Sequence, residues 1–276
     1  MQRCCRHYEE DGGGYEGCGD GSLRLEGCFG SANSGDLAVV AEYLTFFNSA
    51  VLFLTLFYAS YEDIRVRLVD DWVWISCASI TTPVTIYSTL LGNISPILSA
   101  ISVGVTILLS VLFYIVGLYG GADAKALVVI ALASPLSIGG ERYHPFTSIT
   151  VLLNGLLVSL AIPLAIVLLN FYKIFVRRED IFREFRHEKA YRKLLAIFLG
   201  TPLRDPERRK YWAPMEEFTG EWRFRFTVGI EEFWKPLRPG GWATPSIPLL
   251  VSISIGLVIN YVLGDLSALI VKLLFS

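Results

Sequence analysis

Two aspartates in this chain sit beside long apolar runs, where a carboxylate is costly and so needs a reason to be present. Asp123 follows the glycine-rich joint Gly117-Leu118-Tyr119-Gly120-Gly121-Ala122 and leads into an Ala/Leu-rich run through Lys125. Asp63 closes an earlier apolar run in the stretch Tyr61-Glu62-Asp63-Ile64-Arg65-Val66-Arg67. Two carboxylates held close together cannot both ionise cheaply, so they share a proton and titrate as a coupled unit. The ionised member can take a proton from water while the protonated one donates to a carbonyl oxygen, which is hydrolysis without metal or covalent intermediate. Plainer roles compete. Asp123 is a good helix N-cap, and Asp63 could pair with Arg65 or Arg67. Glu42 and Asp265 read as interfacial carboxylates, and Asp70 and Asp71 as caps before Trp72. If both chemical residues matter, the helix ends favour an anion at Asp123, which starts a helix, and a proton on Asp63, which ends one.

The elements that must hold these residues are membrane helices. The 276 residues are 53% hydrophobic and only 18% charged, well below the quarter usual for soluble domains. About 20 apolar residues cross the hydrocarbon, and apolar runs cover 37–60, 72–92, 96–119, 124–138, 148–172 and a last one from 246. The expected fold is therefore an all-α polytopic membrane protein of about six transmembrane helices, the fourth being the shortest. Residues 37–172 form the membrane domain with spans one to five, and 246–276 the last helix. Arg65 and Arg67, Lys125 and the basic stretch 173–245 all fall on one side, while the loops opposite hold only Arg142. The positive-inside rule makes that first side cytoplasmic and the N-terminus external. Asp63 and Asp123 then share the cytoplasmic face, with Asp265 at the other.

Residues 173–245 are the one sizeable polar insertion, with sixteen Lys/Arg against eleven Asp/Glu. Residues 178–199 predict a basic helix stopped by Gly200-Thr201-Pro202. Trp222, Phe224, Phe226, Val228 and Ile230 alternate with polar or small residues, the period of a strand with one buried face. A small α+β cytoplasmic insertion before the last helix is expected, against the alternative of a membrane-hugging basic loop. Residues 1–36 are glycine-rich and acidic, with too few apolar residues for a core, and read as a disordered or wrongly started tail. Its Cys4, Cys5, Cys18 and Cys28 lack zinc-ribbon spacing. His7, His144 and His187 are scattered. No P-loop, G-x-S-x-G or H-E-x-x-H occurs, so neither cofactor nor metal is expected, nor a nucleic-acid partner.

The two aspartate motifs together resemble the type IV prepilin peptidase family, most closely its archaeal preflagellin (archaellin) peptidase branch of G-x-G-D membrane aspartyl proteases. A pattern like D-x-R-x-R-x-[IV]-x-[ND] is matched by Asp63, Arg65, Arg67, Val69 and Asp71. The second motif is matched by Gly120-Gly121-Ala122-Asp123-Ala124-Lys125, with Ala122 in place of a glycine. Trp242-Ala243-Thr244-Pro245-Ser246-Ile247-Pro248-Leu249-Leu250 resembles the family's entry to its last helix. The resemblance implies catalytic Asp63 and Asp123, supported by Gly120, Gly121, Arg65, Arg67 and Lys125. It also implies leader-peptide cleavage of archaellin or type IV pilin-like precursors at the cytoplasmic membrane face. The cysteine-rich domain of the bacterial enzymes is absent from the sequence, and with it the expectation of N-methyl transfer. Two other readings stand beside this one: a presenilin or signal-peptide-peptidase-like protease, for which no Pro-Ala-Leu is present, and a non-catalytic transporter or assembly scaffold. Partners expected are the precursor proteins and membrane lipid; oligomeric state is open.

Overall fold

The computed structural model describes residues 34–137, 143–205, 211–226 and 235–275. The expected tail with its four cysteines, and Val228 and Ile230 of the expected strand, lie outside the described residues. The chain begins with α1 (Ser34–Arg65), α2 (Asp71–Leu90), α3 (Pro96–Val116) and α4 (Gly121–Ala133). It continues with α5 (Thr147–Ser159) and α6 (Ala161–Phe171). Local chemistry sets several of these bounds. Ser95 caps α3 by accepting from Leu98 N, Pro96 takes the first turn, and Gly117 ends the helix at φ 75°, a left-handed conformation that glycine adopts without penalty.

Helix α4 lies at the centre. Its Ala126, Leu127, Ile130 and Ala133 are buried among Leu52, Leu56 and Ala59 of α1 and Trp74 and Cys77 of α2. Val151 of α5 completes that core, along with Ile253 and Leu257 of the later helix α8 (Leu249–Val262). The α1 contribution recurs every three to four residues, which is one face of a helix. The opposite face of α1 leaves Phe46, Leu54, Phe57 and Ile64 exposed. Only 17% of the apolar window of α1, and the same share of α3, is covered by protein. An outside this apolar fits a hydrocarbon surround.

The number of spans differs from expectation. Among the described residues three helices are long and apolar enough to cross: Val39–Arg65, Pro96–Val116 and Thr147–Val176. A fourth is possible if α8 and α9 (Leu266–Phe275) count as one span, but they bend by 65°. Six spans are not confirmed. Helix α4 has 13 residues, about 20 Å at 1.5 Å per residue against a hydrocarbon core of about 30 Å. Helix α2 is diluted by Ser76, Thr81, Thr82, Pro83, Thr85, Ser88 and Thr89. The bend between α8 and α9 is made at Gly264, φ 86°. There Asp265 is fully buried and caps α9, its Oδ1 accepting from Ser267 N at 2.9 Å and Ala268 N at 3.3 Å. The expectation of an interfacial, solvated Asp265 is thus corrected: the free amides of a helix start bind its Oδ1, while its Oδ2 is buried without a hydrogen-bond partner among the described residues.

The region before the last helices contains strands. β1 (Thr201–Pro202), β5 (Trp242–Pro245) and β2 (Trp212–Pro214) form an antiparallel sheet in that order, and β3 (Glu216–Phe218) pairs with β4 (Trp222–Phe224). Ile181, Phe185, Ala196, Met215, Phe224 and Trp242 make a second core, with Phe185 stacked on Phe224 at 4.1 Å. A membrane-hugging loop without its own core is therefore the poorer description. The expected helix over 178–199 is corrected: only α7 (Ala190–Leu199) is α-helical, preceded by a 3-10 turn at Arg183–Phe185. The reason is packing. Ile181 and Phe185 must both reach the core under Trp242, whose Nε1 donates to Ile181 O at 3.1 Å.

Candidate active site

Asp63 lies in the last turn of α1, where the helix unwinds over Val66 and Arg67. Arg67 N donates to Asp63 O at 3.2 Å, and Arg67 has φ 61°, a left-handed conformation that an arginine holds only when its surroundings demand it. That reversal brings the guanidinium back over its own helix end, 3.6 Å from Asp63 Oδ2. The side chains are 17% exposed for Asp63 and 22% for Arg67. Of the two arginines considered as partners for Asp63, Arg67 is the one paired with it; Arg65 is exposed and contributes its carbonyl, which accepts from Tyr211 Oη.

Asp123 sits in the first turn of α4, where its Oδ2 accepts from Gly120 N at 3.1 Å. The N-cap expectation is corrected: Gly120 is the cap, and Asp123 is the third helical residue, whose carboxylate reaches back to the cap's amide as in a capping box. That contact is not the whole of its environment. The carboxyl group lies within electrostatic reach of Asp63 and of Arg67. Burial pushes it from 3.8 up to about 6, opposed by the Gly120 amide and raised further by the Asp63 charge. A helix N-terminus offers an anion about 0.3–1 kcal/mol. The rise from 3.8 to about 6 is equivalent to about 3 kcal/mol, so burial outweighs the helix end. The expectation that Asp123 is an easily ionised anion is corrected accordingly.

The supporting residues divide. Lys125 reaches from α4 to α2 and pairs with Asp71 at 2.5 Å, so the second motif is tied to the end of the first. Gly120 and Gly121 are not held in a glycine-only conformation: Gly120 has φ −78° and ψ 164°, and a Cβ on Gly121 would meet only Tyr114 Cε2 at 3.6 Å. The turn that needs glycine is Gly117. Tyr119 fixes the joint from below by packing edge-on against Phe113 at 5.7 Å. Among the described residues no group of three or more His, Cys, Asp or Glu could hold a metal ion.

Sequence reasoning missed Tyr211, and took Ser246 only as part of the entry to the last helix. Arg67 Cζ stands 5.0 Å from the Tyr211 ring centroid, Arg67 Nη2 donates to Ser246 O at 3.2 Å, and Ser246 N donates to Tyr211 O at 3.0 Å. No spacing or periodicity ties residues 67, 211 and 246, so no local signal could have found them.

A buried carboxyl facing a second carboxyl, both at helix ends around one guanidinium, is the kind of arrangement aspartyl hydrolases use. Comparison with known proteins supports peptidase activity. Residues 50–171, from within α1 to the end of α6, match the type IV leader peptidase family, and the match indicates a peptidase. The chain is also similar to the preflagellin peptidase of Methanococcus voltae, 25% identical over 232 residues covering 78% of this chain and 94% of that protein. The preflagellin peptidase of Methanococcus maripaludis strain C6 is 24% identical over 225 residues, covering 77% and 93%.

Proposed function

We propose that the protein is a membrane aspartyl endopeptidase that removes the leader peptide from archaellin or type IV pilin-like precursors at the cytoplasmic membrane face. The observation that carries this reading is that Asp63 and Asp123, each desolvated and each at a helix end, lie within electrostatic reach of one another and of Arg67. Similarity to two preflagellin peptidases supports the substrate class. Ion-conducting carboxylates belong mid-membrane, so a pair at helix ends favours hydrolysis over transport.

In this reading the two carboxyl groups work with one proton between them. Asp63, with Arg67 as its counter-charge, is the ionised base that takes a proton from the attacking water. Asp123, whose burial favours the neutral form, donates its proton to the scissile carbonyl oxygen. When the tetrahedral intermediate collapses, the proton gained by Asp63 passes to the leaving amine. Asp123 then recovers its proton from the gem-diol hydroxyl, and the dyad is restored. Lys125 and Asp71 hold the first turn of α4 in register with α2. The acidic pair of Asp63 and Asp123 suits a precursor whose basic leader runs into an apolar helix.

The test is cleavage of such a precursor, in detergent or liposomes, by the wild type and by Asp63→Ala and Asp123→Ala. Both variants should lose at least about 1,000-fold in rate, the order expected when a catalytic proton donor or acceptor is removed. Cleavage by both at the wild-type rate would end the aspartyl reading.

A further inference from the structure

Residues 173–245 have no role in the chemistry so far, yet their sheet ends on the first aspartate motif. Tyr211, just before β2, and Ser246, just after β5, continue the pairing of those strands through the Ser246 N to Tyr211 O bond. The end of that ladder holds Arg67 by two contacts and its chain, at Arg65, by a third. The Tyr211 ring lies 5.0 Å from the guanidinium carbon, a cation–π distance. The Ser246 carbonyl accepts from Nη2 at 3.2 Å. The Tyr211 hydroxyl anchors the chain two residues earlier by donating to Arg65 O. Arg67 and Tyr211 both adopt left-handed backbone conformations, φ 61° and 60°. Neither is a glycine or asparagine, so each conformation must be imposed from outside. A mutual clamp supplies that imposition.

We propose that Tyr211 is a positioning residue for peptide cleavage: with the Ser246 carbonyl it holds the Arg67 guanidinium against Asp63, making the polar insertion part of the catalytic apparatus. This rests on the aspartyl reading above. Arg67 is free to rotate about its own side chain and to follow its loop. Without the aromatic face below it and the carbonyl beside it, the guanidinium is left with only its 3.6 Å ion pair to Asp63 and the backbone bond from Arg67 N to Asp63 O. The charged groups facing Asp63 are Arg67 from the loop and Asp123 from α4, with Glu62 next to it on α1. Moving Arg67 away leaves Asp63 facing carboxylates alone, which favours its protonated form.

The test uses the full-length protein, a precursor with a basic leader and an apolar helix, and four variants: Tyr211→Phe, Tyr211→Ala, Arg67→Gln and the double variant Arg67→Gln/Tyr211→Ala. Tyr211→Ala should lower kcat about tenfold or more, with KM changed by less than about twofold, since misplacing a reacting group by an ångström costs on that scale. The acid limb of its kcat–pH profile should move to higher pH by about one unit. Tyr211→Phe keeps the ring under Arg67 and should retain the wild-type profile with a loss in kcat of about threefold or less. Because Tyr211 acts through Arg67, the double variant should be no slower than Arg67→Gln alone. Losses that multiply, or a Tyr211→Ala profile with unchanged limbs and kcat, would overturn the proposal. So would a Tyr211→Phe variant as impaired as Tyr211→Ala, which would make the hydroxyl rather than the stack decisive. If Tyr211→Ala does not fold, Tyr211→Phe and Tyr211→Leu carry the comparison, with Leu expected to show the shifted limb. Should these variants behave as wild type while Asp63→Ala and Asp123→Ala are inactive, the clamp fails and the dyad stands. Should the aspartate variants cleave normally, the aspartyl reading itself fails.

Discussion

At the scale of single residues, Asp123 combines two roles that are usually alternatives. It reaches back to the cap of α4 through Gly120 N and faces Asp63. Its motif was legible because aspartate after glycines and before an apolar helix is unusual in sequence, but its protonation was not, since burial depends on neighbours from other helices. The titration has a stability consequence. The folded value of about 6 lies above 3.8, so the stabilising preference for the neutral form is complete below about pH 4 and is lost as pH rises through about 6. Wild-type protein should therefore lose thermal stability relative to Asp123→Asn between about pH 4 and pH 6.5, by about 1–2 kcal/mol once partial solvent access is allowed for. Thermal unfolding of both proteins in one detergent across that range checks it, and parallel curves would count against the burial argument. Asp265 shows the opposite limit of legibility. Its neighbours in sequence are those of an interfacial carboxylate, and only the sharp bend at Gly264 makes it a buried cap.

At the scale of elements, the tightest crossing is α5 against α8. A Cβ on Gly256 would lie 2.5 Å from Val151 O and 2.7 Å from Gly155 N. Small residues allow such backbone contact where helices meet in a membrane. Gly256→Ala should cost about 1–3 kcal/mol, the usual penalty of overpacking, seen as a lower unfolding temperature in detergent. Gly121→Ala, with only an ordinary contact to Tyr114, should leave unfolding unchanged. Equal melting temperatures for the two would refute the close crossing. The helices themselves were legible from apolar run length, with α3 bracketed by Ser95, Pro96 and Gly117. What run length hides is interruption. The expected fifth span continues through a junction at Leu160 into a π turn at Tyr172–Val176, and the expected sixth breaks in two. The strand expected from Trp222 onward is shorter than its alternation: it covers Trp222–Phe224, and Phe226 packs on the same core from outside the strand. The helix expected over 178–199 failed because its apolar residues answer to an aromatic core rather than to a helical face.

At the scale of the whole molecule, the basic insertion spends much of its charge internally. Arg186 pairs with Asp180, Arg192 with Glu188, Arg204 with Glu179, and Arg238 with Glu216 and Glu184. This leaves the loop-charge rule as the argument for its side of the membrane, and a labelling experiment decides it. With the cysteines of the first 36 residues changed to Ser, Thr219→Cys in the β3–β4 turn and Asn93→Cys in the α2–α3 loop are both exposed, whereas native Cys77 is buried. A membrane-impermeant maleimide should label Asn93→Cys in whole cells and Thr219→Cys only in inverted vesicles. The reverse pattern would turn the proposed topology over. The mostly helical, apolar character of the fold could be reasoned from composition. The contact between the insertion and Arg67 could not, because it joins residues separated by well over a hundred positions.

Helix α4 is fastened at both ends. At its last turn the Ala133 carbonyl accepts from Asn48 Nδ2 at 3.0 Å and from Thr85 Oγ1 at 3.1 Å, and Asn48 also reaches Thr85 Oγ1 at 2.9 Å. At its first turn Lys125 grips Asp71. A rod of 13 residues behaves as a lever about 20 Å long. Pivoting it by about 3° at the Asn48 end would swing Asp123 by about 1 Å, a displacement large enough to detune proton transfer. The amide knot on the far side of the protein is thus a fulcrum for the acid on the near side.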